Sequence, residues 1–157
     1  MVRETRADQD ARGHRFCLVA ARFNAAYVER LVRGALETLR SRGAADEDLE
    51  VLWVPGSFEL PLACRWAAVS RRFDAVVACG VVIRGETEHF RLVAEAASQG
   101  ILRVALETGV PVLNGVLAAY NAEQAAARSG GPLGNRGAEA ALAAVEMARL
   151  RESLERG

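Results

Sequence analysis

The sequence has no lysine. All twenty of its basic residues are arginine, set against twenty acidic ones, so the formal net charge is zero. Without a lysine amine the chain cannot form an enzyme-bound Schiff base, hold pyridoxal phosphate in the usual way or build a Walker-type phosphate loop. The balanced charge and a pI near 6.7 argue against a general nucleic-acid binder, which needs a basic stripe. Long apolar runs are missing too. The longest lies within Ala75–Ile83, is interrupted by Gly80 and is far too short to span a bilayer. The three cysteines, Cys17, Cys64 and Cys79, form no CxxC pair, and with His14 and His89 they match no familiar zinc spacing, so no metal site is expected. An odd number of cysteines in apolar surroundings suits reduced, buried thiols in a cytoplasmic protein. The first thirteen residues, MVRETRADQDARG, are polar and charged, so no signal peptide is expected.

The patterning that is present alternates between strand and helix. Residues 1–13 read as a polar N-terminal tail and residues 14–157 as one domain. Arg15–Ala21 is a β-rich run, followed by a turn and a helix over Ala25–Arg42 with Asn24 as its N-cap and Gly43 as its stop. Leu49–Val54 is a second strand ending at Pro55-Gly56, and Ser57 or a neighbour caps the helix after it, with Leu62, Ala63, Trp66 and Ala67 predicted to face inward. Asp74–Ile83 is apolar on both faces, as a central parallel strand should be. Thr87 is placed to cap the next helix, which carries Phe90, Val93, Ala97, Ile101 and Val104 inward. Val110–Leu117 is a fourth strand, Asn121 caps a short helix, and Ala138–Leu154 is a long closing helix. Such alternation predicts a three-layer α/β/α sandwich on a four-stranded parallel sheet, of flavodoxin-like type.

In sheets of this kind ligands bind in the crevice at the carboxyl ends of the strands. That rule selects Arg22–Asn24, Pro55–Glu59, Arg84–His89 and Leu117–Asn121, where the unusual side chains gather. Arg84–His89 leads from a buried strand into a helix, so free backbone N–H groups, the Thr87 hydroxyl and the helix dipole make an anion site. One glycine, Gly85, and no lysine suit a single small phosphate. The same residues equally serve as a plain cap, with Glu86 and Glu88 complementing the dipole. His89 beside that site could donate or accept protons, or stand as an ordinary surface histidine. Phe23, Phe58 and Trp53 are the aromatics nearest these loops, in a chain that is only 6% aromatic. An aromatic in a turn suggests stacking on a flat ligand, although packing on a neighbouring loop or subunit explains it as well. Glu59 could accept hydrogen bonds from a ligand's ring N–H groups or act as a first-turn acid. Arg128 and Arg136 flank the loop SGGPLGNRG, either as phosphate ligands or as solvated charges.

Taken together, ARFN at Ala21–Asn24, VPGSFELP at Val54–Pro61, GVVIRGETEHF at Gly80–Phe90, NGVL at Asn114–Leu117, EQA at Glu123–Ala125 and GNRGAEAALAAVEM at Gly134–Met147 resemble the lumazine synthase family. The resemblance runs from about residue 14 to the C-terminus. It implies condensation of 5-amino-6-(D-ribitylamino)uracil with 3,4-dihydroxy-2-butanone 4-phosphate, with no metal and no cofactor. It further implies that Phe23 stacks on the pyrimidine beside Asn24. Ser57, Phe58 and Glu59 with Val81, Val82 and Ile83 would hold the ring edge and ribityl chain. Gly85, Glu86 and Thr87 would sit at the butanone phosphate and His89 would act as general acid and base. Arg128 and the Asn114 segment would reach in from an adjacent subunit, with Arg136 as a further cation.

Where the family often has Thr-Thr after GVL, this chain has Ala118-Ala119. Asn114 stands where an aromatic is common, Arg91 where an acid is usual, and Arg136 where lysine is usual. The resemblance also implies a homo-oligomer of at least five subunits, with pentamers, decamers and sixty-subunit shells all open and riboflavin synthase as a candidate partner. A non-catalytic flavin- or lumazine-binding member and a flavodoxin-like signalling module are the competing readings.

Overall fold

The computed structural model describes residues 1–156. Four strands form one parallel sheet: β1 Phe16–Ala21, β2 Leu49–Val54, β3 Ala75–Ile83 and β4 Val112–Ala119. Their order is β2-β1-β3-β4, so β1 and β3 are interior and accordingly read as near-continuous apolar runs. The connections are α1 Ala25–Ser41, α2 Leu60–Val69 and α3 His89–Thr108, and after β4 come α4 Ala122–Arg128 and α5 Arg136–Glu155. Helices α1 and α5 cover one face of the sheet over a core that includes Leu18, Leu31, Val77 and Val145. Helices α2 and α3 cover the other, over Val19, Leu60, Val76 and Ile101. The predicted three-layer sandwich is the observed fold.

The α1–α5 pair is unusually close at Gly137, where a Cβ would strike the backbone of Leu31. Glycine is needed there because any side chain would push the two helices apart, and overpacking of that kind costs about 1–3 kcal/mol.

Several local expectations are corrected. Asn24 does stand at the start of α1, but it takes a left-handed conformation (φ 61°) and its side chain caps nothing. Its amide donates instead to the Val81 carbonyl, 2.7 Å away on β3. Leu62 and Trp66 were expected inward and are 54% and 63% exposed; the sheet is met by Leu60, Ala63, Cys64, Ala67 and Ala68. In a short helix so uniformly apolar, periodicity does not fix the phase, and the helix starts on Leu60 because Ser57–Glu59 forms a separate 3₁₀ turn. Ser57 therefore caps nothing and is itself buried. Helix α5 begins two residues before the predicted Ala138, capped by the Asn135 side chain, which accepts from the Ala138 N–H at 3.0 Å. Just before it, β5 Ser129–Gly131 and β6 Gly134–Asn135 form a small antiparallel hairpin that the pattern did not suggest.

The segment ahead of β1 is anchored at its end. Ala11 is fully buried against the α1–α5 layer and its N–H donates to the Arg42 carbonyl at 2.9 Å, while Arg149 of α5 donates to the carbonyls of Asp10 and Arg12. Among the described residues no helix is long and apolar enough to cross a membrane.

Candidate active site

Interior strand β3 outruns β1. The β1–β3 register ends at Ala20 opposite Cys79, whereas β3 continues beside β4 to Ile83 opposite Ala119. The step this leaves at the carboxyl ends is a crevice of about 800 Å³, within the range of small-molecule sites. It is lined by Phe23 from the turn after β1, by Ser57, Phe58 and Glu59 from the turn after β2, and by Val81, Val82 and Ile83 from β3 itself. Gly85, Thr87 and His89 close its far side. Ten residues singled out in the sequence thus meet in one place, though they come from three separate stretches of chain.

The geometry of each component follows from its local sequence. Gly80 admits the Ser57 turn against β3, since a Cβ there would lie 2.5 Å from Ser57 Oγ and 3.0 Å from Leu60 Cδ1. Phe23 and Phe58 are 72% and 64% exposed, so these rings do not build this chain's core and remain free to meet a flat ligand. Thr87 holds the first turn of α3: its Oγ1 accepts from the His89 N–H at 3.3 Å, one residue ahead of the helix's own N-cap, Glu88. Glu88 offers the helix no side-chain cap, because its carboxylate receives Arg91 Nε at 2.7 Å, which holds its pKa below the usual carboxylate range. Arg91 also reaches Glu95, at 3.4 Å. The basic residue at an unusual position thus neutralises an acid beside the helix N-terminus. The His89 side chain is exposed at the crevice wall.

The remaining sequence candidates lie elsewhere in the single chain. Asn24 sits beneath the crevice on its bond to Val81. Glu86 is exposed on the loop without lining the cavity. Asn114 lies in the amino-terminal half of β4, donating to Ser98 Oγ at 3.0 Å and accepting from the Val116 N–H at 2.9 Å. Arg128 ends α4, half-buried, with Nη1 3.4 Å from the Gln124 carbonyl. Arg136 opens α5 close to Glu139. None of these last three lines the crevice. Conversely, the wall includes Phe90, Leu92 and Val93, which sequence reasoning either read as core residues or passed over.

Two features compete for attention and are structural. A larger concavity, about 920 Å³, lies at the opposite, amino-terminal end of the sheet and contains none of the residues above. Its arginines are largely paired within the chain, Arg65 with Glu107 and Arg149 with Glu152. There His14 is buried with Nε2 2.6 Å from Glu152, so the second histidine is a packing residue. Among the described residues no cluster of His, Cys, Asp and Glu could hold a metal ion.

Fold and crevice together define an α/β protein with a crevice of small-molecule size at the carboxyl ends of its strands, lined by two exposed aromatic rings and by a histidine at a helix N-terminus. Residues 13–152 match the family described as 6,7-dimethyl-8-ribityllumazine synthase. Curated relatives of that name agree along nearly the whole length. The one from Halorhodospira halophila is 52% identical over 147 residues, covering 94% of this chain and 92% of the relative. That from Desulfotalea psychrophila is 47% identical over 145 residues, covering 92% and 94%. That from Clostridium kluyveri is 44% identical over 146 residues, covering 93% and 95%. The chain belongs to the 6,7-dimethyl-8-ribityllumazine synthase family.

Proposed function

We propose that this chain is a transferase of riboflavin biosynthesis, condensing 5-amino-6-(D-ribitylamino)uracil with 3,4-dihydroxy-2-butanone 4-phosphate to give 6,7-dimethyl-8-ribityllumazine, phosphate and water. The observation that carries this reading is the meeting of Phe23, Glu59, Thr87 and His89 in one crevice of a chain from this family. Phe23 stacks on the pyrimidine, and Glu59 with the Ser57–Phe58 turn takes its polar edge. The N-terminus of α3, with Gly85 and Thr87 at the crevice wall, receives the phosphate, and Glu86 stays outside on the loop.

The substrate's own amine attacks the ketone carbon and water leaves as the imine forms. The phosphate then departs by elimination, the resulting enol tautomerises to a carbonyl, and the ribitylamino nitrogen attacks that carbonyl with loss of a second water to close the ring. His89 moves protons in these steps. Because the nucleophile arrives with the substrate, the missing lysine is no handicap, and much of the acceleration comes from holding two reactants together.

The site is completed by a neighbour. Arg128, Asn114 and Arg136 stand away from their own chain's crevice, as residues serving an adjacent copy would. A large apolar surface is available for such packing: Leu62, Trp66 and Val69 on α2 lie exposed alongside Leu92, Leu102 and Leu106 on α3. We assign an assembly of at least five subunits. Three free, buried cysteines suit a reducing cytoplasm.

The direct test mixes purified protein with both substrates and follows the fluorescent lumazine. Absence of product from folded protein sinks the assignment. A monomeric mass by light scattering at micromolar concentration would remove the shared site.

A further inference from the structure

Tyr120 follows β4 immediately and is 64% exposed, an odd place for a large aromatic ring. Its backbone is fixed, since its N–H donates to Gln124 Oε1 at 2.9 Å. Its ring has two neighbours. Phe90 stands with ring centroids 6.2 Å apart and planes inclined at 56°, a favourable tilted arrangement. The Arg84 guanidinium lies over the ring, 5.7 Å from its centroid. Among the described residues the Tyr120 hydroxyl makes no hydrogen bond, so the ring alone does the holding.

Both partners belong to the segment that carries His89. Arg84 begins the β3–α3 loop and is itself pinned, its N–H donating to the Ala119 carbonyl at 2.9 Å. Phe90 follows His89 in the first turn of α3 and lines the crevice. The other bonds of that turn are local to it: the Glu88–Arg91 pair, the Arg91 and Leu92 N–H groups donating to the Glu88 carbonyl, and the His89 N–H donating to Thr87 Oγ1; none of these ties the turn to β4. Tyr120 thus contacts this segment at its first residue and at the residue after the histidine, from a strand end that does not line the crevice.

We propose that Tyr120 is a positioning residue that holds the His89 turn in register with the crevice through its Arg84–Phe90 stack. The proposal rests on His89 being the proton-transfer group. Loss of the ring lets the turn rotate, which degrades proton transfer more than substrate binding, so the loss falls on kcat and not on KM.

The experiment is a double-mutant cycle read in the lumazine assay on the assembled protein. Tyr120→Ala is expected to lower kcat about 3- to 10-fold, the scale of an aromatic contact, with KM for either substrate moving less than about 2-fold. Tyr120→Phe, which keeps the ring, restores the wild-type kcat, and Tyr120→Leu, which keeps bulk only, does not. In a His89→Ala background, Tyr120→Ala adds nothing further. A full additional loss in that background overturns the positioning role while leaving His89 intact as the proton carrier. No loss from His89→Ala itself removes both. An unchanged kcat for Tyr120→Leu in assembled protein also defeats the proposal.

Discussion

Asn24 and Val81, fifty-seven residues apart in sequence, are joined by a 2.7 Å hydrogen bond from the asparagine amide to the valine carbonyl. The bond lies where β3 has run past the end of β1 and that side of the sheet has no strand left to supply a donor. A side chain thus takes over from a missing strand, and the turn bearing Phe23 is tied to the floor of the crevice. To reach, Asn24 adopts φ 61°, a left-handed conformation that asparagine tolerates better than most residues.

Two separable penalties follow from this. Asn24→Ala should lose the hydrogen bond and also strain the backbone, costing about 2–4 kcal/mol in all. Asn24→Gly loses only the bond and should cost roughly half as much, since glycine accepts positive φ freely. Urea unfolding of both variants at one protein concentration checks this. Equal losses would mean the left-handed backbone contributes nothing.

His89 stands exposed on the crevice wall, where a bound substrate would reach it. Since juxtaposition of the reactants supplies much of the rate, His89→Ala should lower turnover by roughly 10- to 1,000-fold and leave measurable activity. Steady-state lumazine formation decides it. Either complete inactivity in a folded variant or an undiminished rate would contradict the assigned role.

What the sequence revealed and what it hid divide along physical lines. Strands β1 and β3 announced themselves because an interior parallel strand must be apolar on both faces, and the crevice residues followed from their position after strands. Asn24 was misread because a residue suited to capping its own helix looks the same when its side chain reaches a distant strand. The phase of α2 was invisible in LPLACRWAAV, where apolar residues occupy both faces. Tyr120 and Phe90 meet only in three dimensions. Asn114, Arg128 and Arg136 mark the opposite case: motif resemblance ties them to the site, and one chain alone does not bring them to it.

The buried cysteines give a pH-dependent prediction. Burial pushes the thiols of Cys17 and Cys79 up to about 12, and raises Cys64 likewise. A thiol whose folded pKa is raised favours the native state fully below its unfolded value, about 8.5, and that contribution is lost as pH rises toward 12. Unfolding free energy should therefore fall progressively above about pH 8.5. Iodoacetamide at pH 8 should leave the native protein unlabelled by mass spectrometry and modify all three cysteines in urea. Any cysteine alkylated at a free-thiol rate in the native state would show that the core opens locally.

Arg128 permits the sharpest test of a shared site. If each crevice takes His89 from one chain and Arg128 from its neighbour, Arg128→Ala should raise KM for the phosphorylated butanone, since a guanidinium is suited to bidentate phosphate contact. Each single variant would then be impaired at every site of its own homo-oligomer. Co-expression of Arg128→Ala chains with His89→Ala chains changes the arithmetic. In a ring built by head-to-tail contacts, random mixing at equal amounts gives about a quarter of the interfaces an intact His89 facing an intact Arg128. The mixed assembly should recover roughly that fraction of wild-type activity, well above the mean of its two parents. If both residues served the crevice of their own chain, no mixture could restore a site, and activity would stay at the parental mean.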